Sequence, residues 1–138
     1  MLGGKYLDDS IRAYYAAYPK TQPFGLEIWY GITRNLSQEQ HALVLFLKDP
    51  IIIEDKPLDR IDVEIFNFDQ TLVPPNKAII KVVFNSNYDY WKQLSEQPEN
   101  YRNEKQKLAD QVAQCLEFRF PGVVSQIEVS DVVTPVSV

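Results

Sequence analysis

Cysteine is almost missing from this chain. Cys115 stands alone, so no disulfide can form within the 138 residues, and a reducing, cytoplasmic setting is expected. Histidine is as scarce. His41 is the only one, it opens an apolar segment, and no cysteine or serine elbow stands beside it. The reading for such a residue is structural, not catalytic. Clustered Cys and His ligands do not exist, which excludes a structural zinc site. Asp49, Glu54, Asp55 and Asp59 lack the glycine and the ligand spacing of a calcium loop, so a solvated loop is expected there. The glycines are Gly3, Gly4, Gly25, Gly31 and Gly122. None of them builds the Gly-rich turn that lets backbone approach a pyrophosphate, so the chain is expected to hold no flavin or nicotinamide in the usual way. A basic block is also lacking. The formal charge is −5 with both signs interspersed, which argues against nucleic acid, since binding it depends on neutralising phosphates. The longest apolar run, Ala42 to Leu47, is six residues, far short of the roughly 20 that a membrane helix needs. The first residues, Met1 to Tyr6, show no apolar stretch of the signal-peptide kind.

What remains is globular. Hydrophobic residues make up 45% and aromatics 12%, enough for one core, and the length suits a single domain over 1–138. Asp8-Asp9-Ser10 caps a predicted helix with Ile11, Tyr14, Tyr15 and Tyr18 on one face, and Pro19 ends it. Phe24 to Thr33 alternates as a strand, with Leu26, Ile28, Tyr30 and Ile32 against Glu27, Trp29, Gly31 and Thr33. His41 to Leu47 is apolar nearly throughout, the pattern of a central strand covered on both faces. Lys48-Asp49-Pro50 is expected to break it, with Ile51 to Ile53 a short extension and Asp55-Lys56-Pro57 a loop. Arg60 to Phe68 and Ala78 to Phe84 are the third and fourth strands, the fourth apolar on both sides except at Lys81. The period then changes. Tyr88 to Glu96 is a short helix, and Pro98 opens a longer one with Tyr101, Leu108, Val112, Cys115 and Leu116 on its apolar stripe. Pro121-Gly122 stops it, and Gln126 to Val133 is a fifth strand. Short turns between strands favour antiparallel pairing. The fold class is therefore α+β: a mostly antiparallel sheet of about five strands with helices packed on one face.

The aromatics carry the functional reading. Trp29, Phe66 and Phe68 fall on strand faces whose alternate positions look core-directed, and an open ring-bearing face suits an apolar ligand. The alternative is that these rings pack under the helices and the aliphatic face turns elsewhere. Asp62 and Glu64 share a face of the third strand and read as solvated. Cys115 and the three tyrosines near the N-terminus read as packing.

Several stretches together resemble one family. Asp62-Val63-Glu64-Ile65-Phe66-Asn67-Phe68-Asp69 followed by Leu72-Val73-Pro74-Pro75-Asn76-Lys77 is similar to a segment of phytoene desaturase-like oxidoreductases, the group that includes carotenoid isomerase and all-trans-retinol 13,14-reductase. Tyr88-Asp89-Tyr90-Trp91 resembles it too, as do the helix from Tyr101 closing in Arg119-Phe120-Pro121-Gly122 and the last strand, Ile127 to Pro135. The likeness runs from about Gly25 to the end. It rests on the order and spacing of these stretches rather than on one motif. The resemblance implies a portion of a longer FAD-dependent enzyme, in which this part roofs an apolar substrate cavity over a flavin held by another domain of the same chain. No catalytic or flavin-contacting residue carries over to these positions.

The expectation is thus a substrate-binding domain for a polyene, carotenoid-like or retinoid-like, or another apolar molecule, with Trp29, Phe66 and Phe68 as substrate-binding residues. The portion would be inactive alone and bind no cofactor, with FAD in the full-length parent, which would be cytoplasmic or peripheral to a membrane. Two other readings stay open: a free-standing, non-catalytic module for a lipid or protein partner, and a homodimer formed through the uncovered sheet face.

Overall fold

A computed structural model describes residues 24–67, 71 and 73–136. The helix expected over Asp8 to Tyr18 lies outside these residues. The described residues form an α+β fold with five strands and three helices: β1 (Phe24–Ile32), β2 (Ala42–Ile53), β3 (Lys56–Ile65), β4 (Ala78–Ser86), α1 (Tyr88–Ser95), α2 (Pro98–Arg119), α3 (Val123–Gln126) and β5 (Ile127–Val133). One sheet contains all five strands in the order β2-β3-β4-β1-β5, and every neighbouring pair is antiparallel.

Alternation decides which side of the sheet is packed. Leu26, Ile28, Tyr30 and Ile32 of β1, Ile61, Val63 and Ile65 of β3, and Ile80, Val82 and Phe84 of β4 are buried. They meet Leu108, Ala109, Val112, Ala113 and Leu116 of α2 in one core, as period-2 and period-3.6 stripes facing each other must. The Tyr30 hydroxyl donates to the Ala109 carbonyl at 2.6 Å, which pins α2 over the middle of the sheet. Burial pushes the Tyr30 hydroxyl far above its ordinary pKa, with Asp110 adding to the effect.

Local chemistry sets the joints. Asn87 caps α1 by accepting from the Asp89 and Tyr90 backbone N–H groups at 2.8 and 3.3 Å. Pro98 opens α2 in its first turn, where a missing N–H leaves nothing unpaired. Glu117 accepts from the Gly122 and Val124 N–H groups beyond the end of α2, where Gly122 adopts φ 92°. Gly31 lies so close to β5 that an added Cβ would meet Val129 Cγ1 at 2.8 Å. The β1–β5 register shifts immediately after it.

Four expectations need correction. Lys48-Asp49-Pro50 does not end β2. The strand continues to Ile53 through an irregularity between Phe46 and Ile51, because a bulge tolerates a proline that a regular ladder would not. The expected loop at Asp55-Lys56-Pro57 shrinks to a tight hairpin turn at Glu54-Asp55, with Lys56 and Pro57 already paired in β3. Glu54 and Asp55 take φ 55° and 62°, the left-handed pair whose twist suits two antiparallel strands. Glu54 is correspondingly no solvated loop carboxylate. Its Oε1 accepts from Ser86 Oγ at 2.5 Å and from Trp91 Nε1 at 2.9 Å, and the carboxylate also takes the Asn87 N–H at 3.1 Å. This ties the hairpin to β4 and α1. Finally, β2 is not central. Among the described residues it forms one edge of the sheet.

Candidate functional site

The side of the sheet opposite α1 and α2 carries the rings that the pattern of the sequence singles out. Cross-strand register places Glu64, Lys81, Trp29 and Asp131 in one row, from β3 through β4 and β1 to β5. Phe66 follows β3, held by its N–H donating to the Ile79 carbonyl at 3.0 Å. The next residue fixes this exit. The Asn67 amide donates to the Leu36 and Glu39 carbonyls at 2.8 and 2.6 Å, binding the end of β3 to the β1–β2 connection.

Trp29 and Phe66 stack across β4, with ring centroids 5.4 Å apart and planes within 2° of parallel. The reading in which these rings pack under the helices is therefore overturned: the aliphatic side is the one that α2 covers. Phe68, the third expected ring, lies outside the described residues.

Lys81 sits between the stacked rings and their acidic border. Its Nζ is 5.3 Å from the Trp29 ring centroid and 5.8 Å from that of Phe66, within cation–π reach. It pairs with Glu64 at 2.9 Å and lies 4.0 Å from Glu27. The Trp29 indole N–H donates to Glu27 Oε2 at 3.0 Å. Glu27 thus holds the Trp29 rim, Lys81 lies over both rings, and the half-buried stack forms a ring-bearing patch on this side of the sheet. Beside Phe66, a cavity of about 300 Å³ opens between the β1–β2 connection and the turn before β4, with Leu36, Val73 and Pro74 among its walls.

This arrangement can bind and orient a flat or extended apolar group. Cys115 offers no ready nucleophile, since burial pushes its thiol up and keeps it protonated at neutral pH. Among the described residues no three side chains of metal-ligating type converge, and no helix is long and apolar enough to cross a membrane.

Two features escaped the reading of the sequence. Lys81 lies in the middle of the side that no described helix covers, and its signal was being the lone charge in an apolar strand. Phe46 and Phe118 are exposed at one flank. Phe118 had a signal as well, since it stands outside the apolar stripe of α2. No family model matches the chain, and no curated protein matches it.

Proposed function

We propose that this chain is the substrate-binding portion of an FAD-dependent oxidoreductase of the phytoene desaturase and retinol reductase type. The parent acts on a polyene or other apolar substrate, and this portion is inactive alone. The observation that supports it best is the stacked Trp29–Phe66 platform on the side of the sheet that no described helix covers. It agrees with the order of segments that resembles that family. An apolar chain lies against the two rings, and a polar end group of the substrate points to Lys81. The flavin supplies the redox chemistry from another domain of the parent, and this portion supplies shape and orientation. The lone cysteine fits a reducing, cytoplasmic compartment, and a substrate dissolved in lipid would draw the parent to a membrane surface.

Titration with all-trans-retinol, read by tryptophan quenching and retinol emission, tests this reading. Saturable binding is expected, weakened about tenfold or more when Trp29 and Phe66 are both replaced by alanine. Binding that ignores the double substitution, or no binding at all, would remove the platform from the site. Stoichiometric FAD retained by this chain would overturn the division of labour. The second reading, a free-standing module for a lipid or protein, draws support from the exposed apolar flank at Phe46 and Phe118.

A further inference from the structure

The strand β2 has the composition of a strand buried on both sides, yet among the described residues it is an edge. Every residue from Ala42 to Leu47 is apolar. On the open side of the sheet Val44 is 50% and Phe46 75% exposed, and on the helix side Phe118 of α2 is 79% exposed. A cavity of about 540 Å³ opens along this edge, with Val44, Phe46, Leu47, Pro50, Gln114 and Phe118 among its walls. Exposed edges of this kind are normally blunted by charge or proline because they recruit another strand.

We infer that β2 is the contact with a second copy of this chain, through antiparallel β2–β2 pairing that makes one continuous sheet across a two-fold axis. The hydrogen-bond pattern specifies the register. Ile65 N–H donates to the His41 carbonyl at 2.8 Å, which continues the Ala42–Glu64 and Leu43–Val63 pairing. His41, Leu43 and Leu45 therefore aim their backbone groups at β3. Alternation turns those of Ala42, Val44 and Phe46 outward. A two-fold axis at Leu45 matches outward groups with outward groups: Val44 of each copy exchanges two hydrogen bonds with Phe46 of the other. The same register sets Leu45 against Leu45 and Leu43 against Leu47. It also keeps the two Lys48 ammonium groups apart. Phe118 of each copy closes over the paired leucines.

The chemistry of the edge selects a copy of itself over other strands. An incoming strand meets Val44 and Phe46 on one side and Leu45 and Phe118 on the other, so it must be apolar at consecutive positions. Among the described strands, β2 alone is apolar at six consecutive positions. Pro50 and the irregularity around it limit the ladder to the first half of β2. Because pairing consumes the edge in both copies, the assembly closes at two. A contact of this length falls below about 1,200 Å², the size of weak and transient interfaces, so dissociation in the micromolar range is expected.

Sedimentation equilibrium over about 1 µM to 1 mM tests it. The chain is expected to pass from monomer to dimer. Phe46→Lys, at an exposed position that leaves the core intact, is expected to raise the dissociation constant about 100-fold or more. A positive control reads the register. In a Cys115→Ser background, Leu45→Cys is expected to oxidise to a covalent dimer, because directly opposed Cα atoms about 4.5 Å apart suit a disulfide. Leu43→Cys is not. A monomer throughout the range overturns the inference and leaves the edge to another part of a longer parent or to a different protein. So does a dimer that Phe46→Lys leaves intact, and one lost instead on Trp29→Ala would place the contact on the ring-bearing side. Equal crosslinking at positions 43 and 45 would refute the register. None of these readouts involves retinol or FAD, so their failure is separate from failure of the functional proposal.

Discussion

The two sides of the sheet are built from the same strands but held together by different forces. Under α2, Leu26, Ile28, Ile61, Val82 and Leu116 are wholly or almost wholly buried, and polar groups there, such as the Tyr30 hydroxyl, have found partners. On the other side, Trp29, Phe66 and Lys81 are only half-buried, and their order comes from ring stacking, a cation over the rings and carboxylates at the rim. Apolar burial contributes in proportion to area removed from water, whereas half-exposed ion pairs contribute little. The difference teaches that the side covered by α2 carries the stability, while the side that no described helix covers is ordered by ring and charge contacts that contribute little to it.

The sharpest way to break this contrast is Leu116→Ala. A buried leucine at the α2–sheet contact is expected to contribute about 2–5 kcal/mol, visible as a lower urea midpoint with an unchanged slope. A loss under about 1 kcal/mol would mean that α2 does not seal that side. A smaller effect is expected on the open side. Lys81→Met removes the cation from both rings and from Glu27 and Glu64, pairs whose carboxylates are more than a third exposed. Stability should change by no more than about 1 kcal/mol, while tryptophan emission shifts as Trp29 loses its charged neighbour. A cost as large as that of Leu116→Ala would erase the distinction between the sides.

The smallest effect concerns pH. The Gly122 and Val124 backbone N–H groups, helped by Arg34, hold the Glu117 carboxyl below its ordinary value of 4.5. The Thr33 hydroxyl and the Lys77 ammonium do the same for Glu128. A carboxyl depressed by folding adds stability that is present above the unfolded value and lost as pH falls through the folded one. The urea midpoint should therefore fall with acidification below about pH 4.5. Glu117→Gln should reduce that slope without abolishing it, since Glu128 still contributes. An unchanged slope would show that Glu117 makes these bonds equally in the unfolded chain.

Much of the fold was legible in order along the chain. The alternation in β1 separated Leu26, Ile28, Tyr30 and Ile32 from Trp29 correctly, and the switch to helical period after Ser86 marked α1 and α2. Pro98 and Gly122 marked the ends of the long helix to within a few residues. The β2–β3 hairpin was harder, because Lys48-Asp49-Pro50 reads as a terminator. The extension over Ile51 to Ile53 was legible, but only the pairing with β3 shows that it belongs to the same strand. For the site, Trp29 and Phe66 could be nominated separately from their strands. Their stacking could not, since it depends on which strand comes between β1 and β3.

Local sequence thus determined the kinds of elements, their order and the apolar stripe of each, because periodicity and turn chemistry act over a few residues. Strand order was left to the tertiary structure, because pairing is set by contacts between residues far apart in the chain. That order put Lys81 on the strand between those that carry Trp29 and Phe66. It also left β2, whose composition suits the middle of a sheet, standing at the margin.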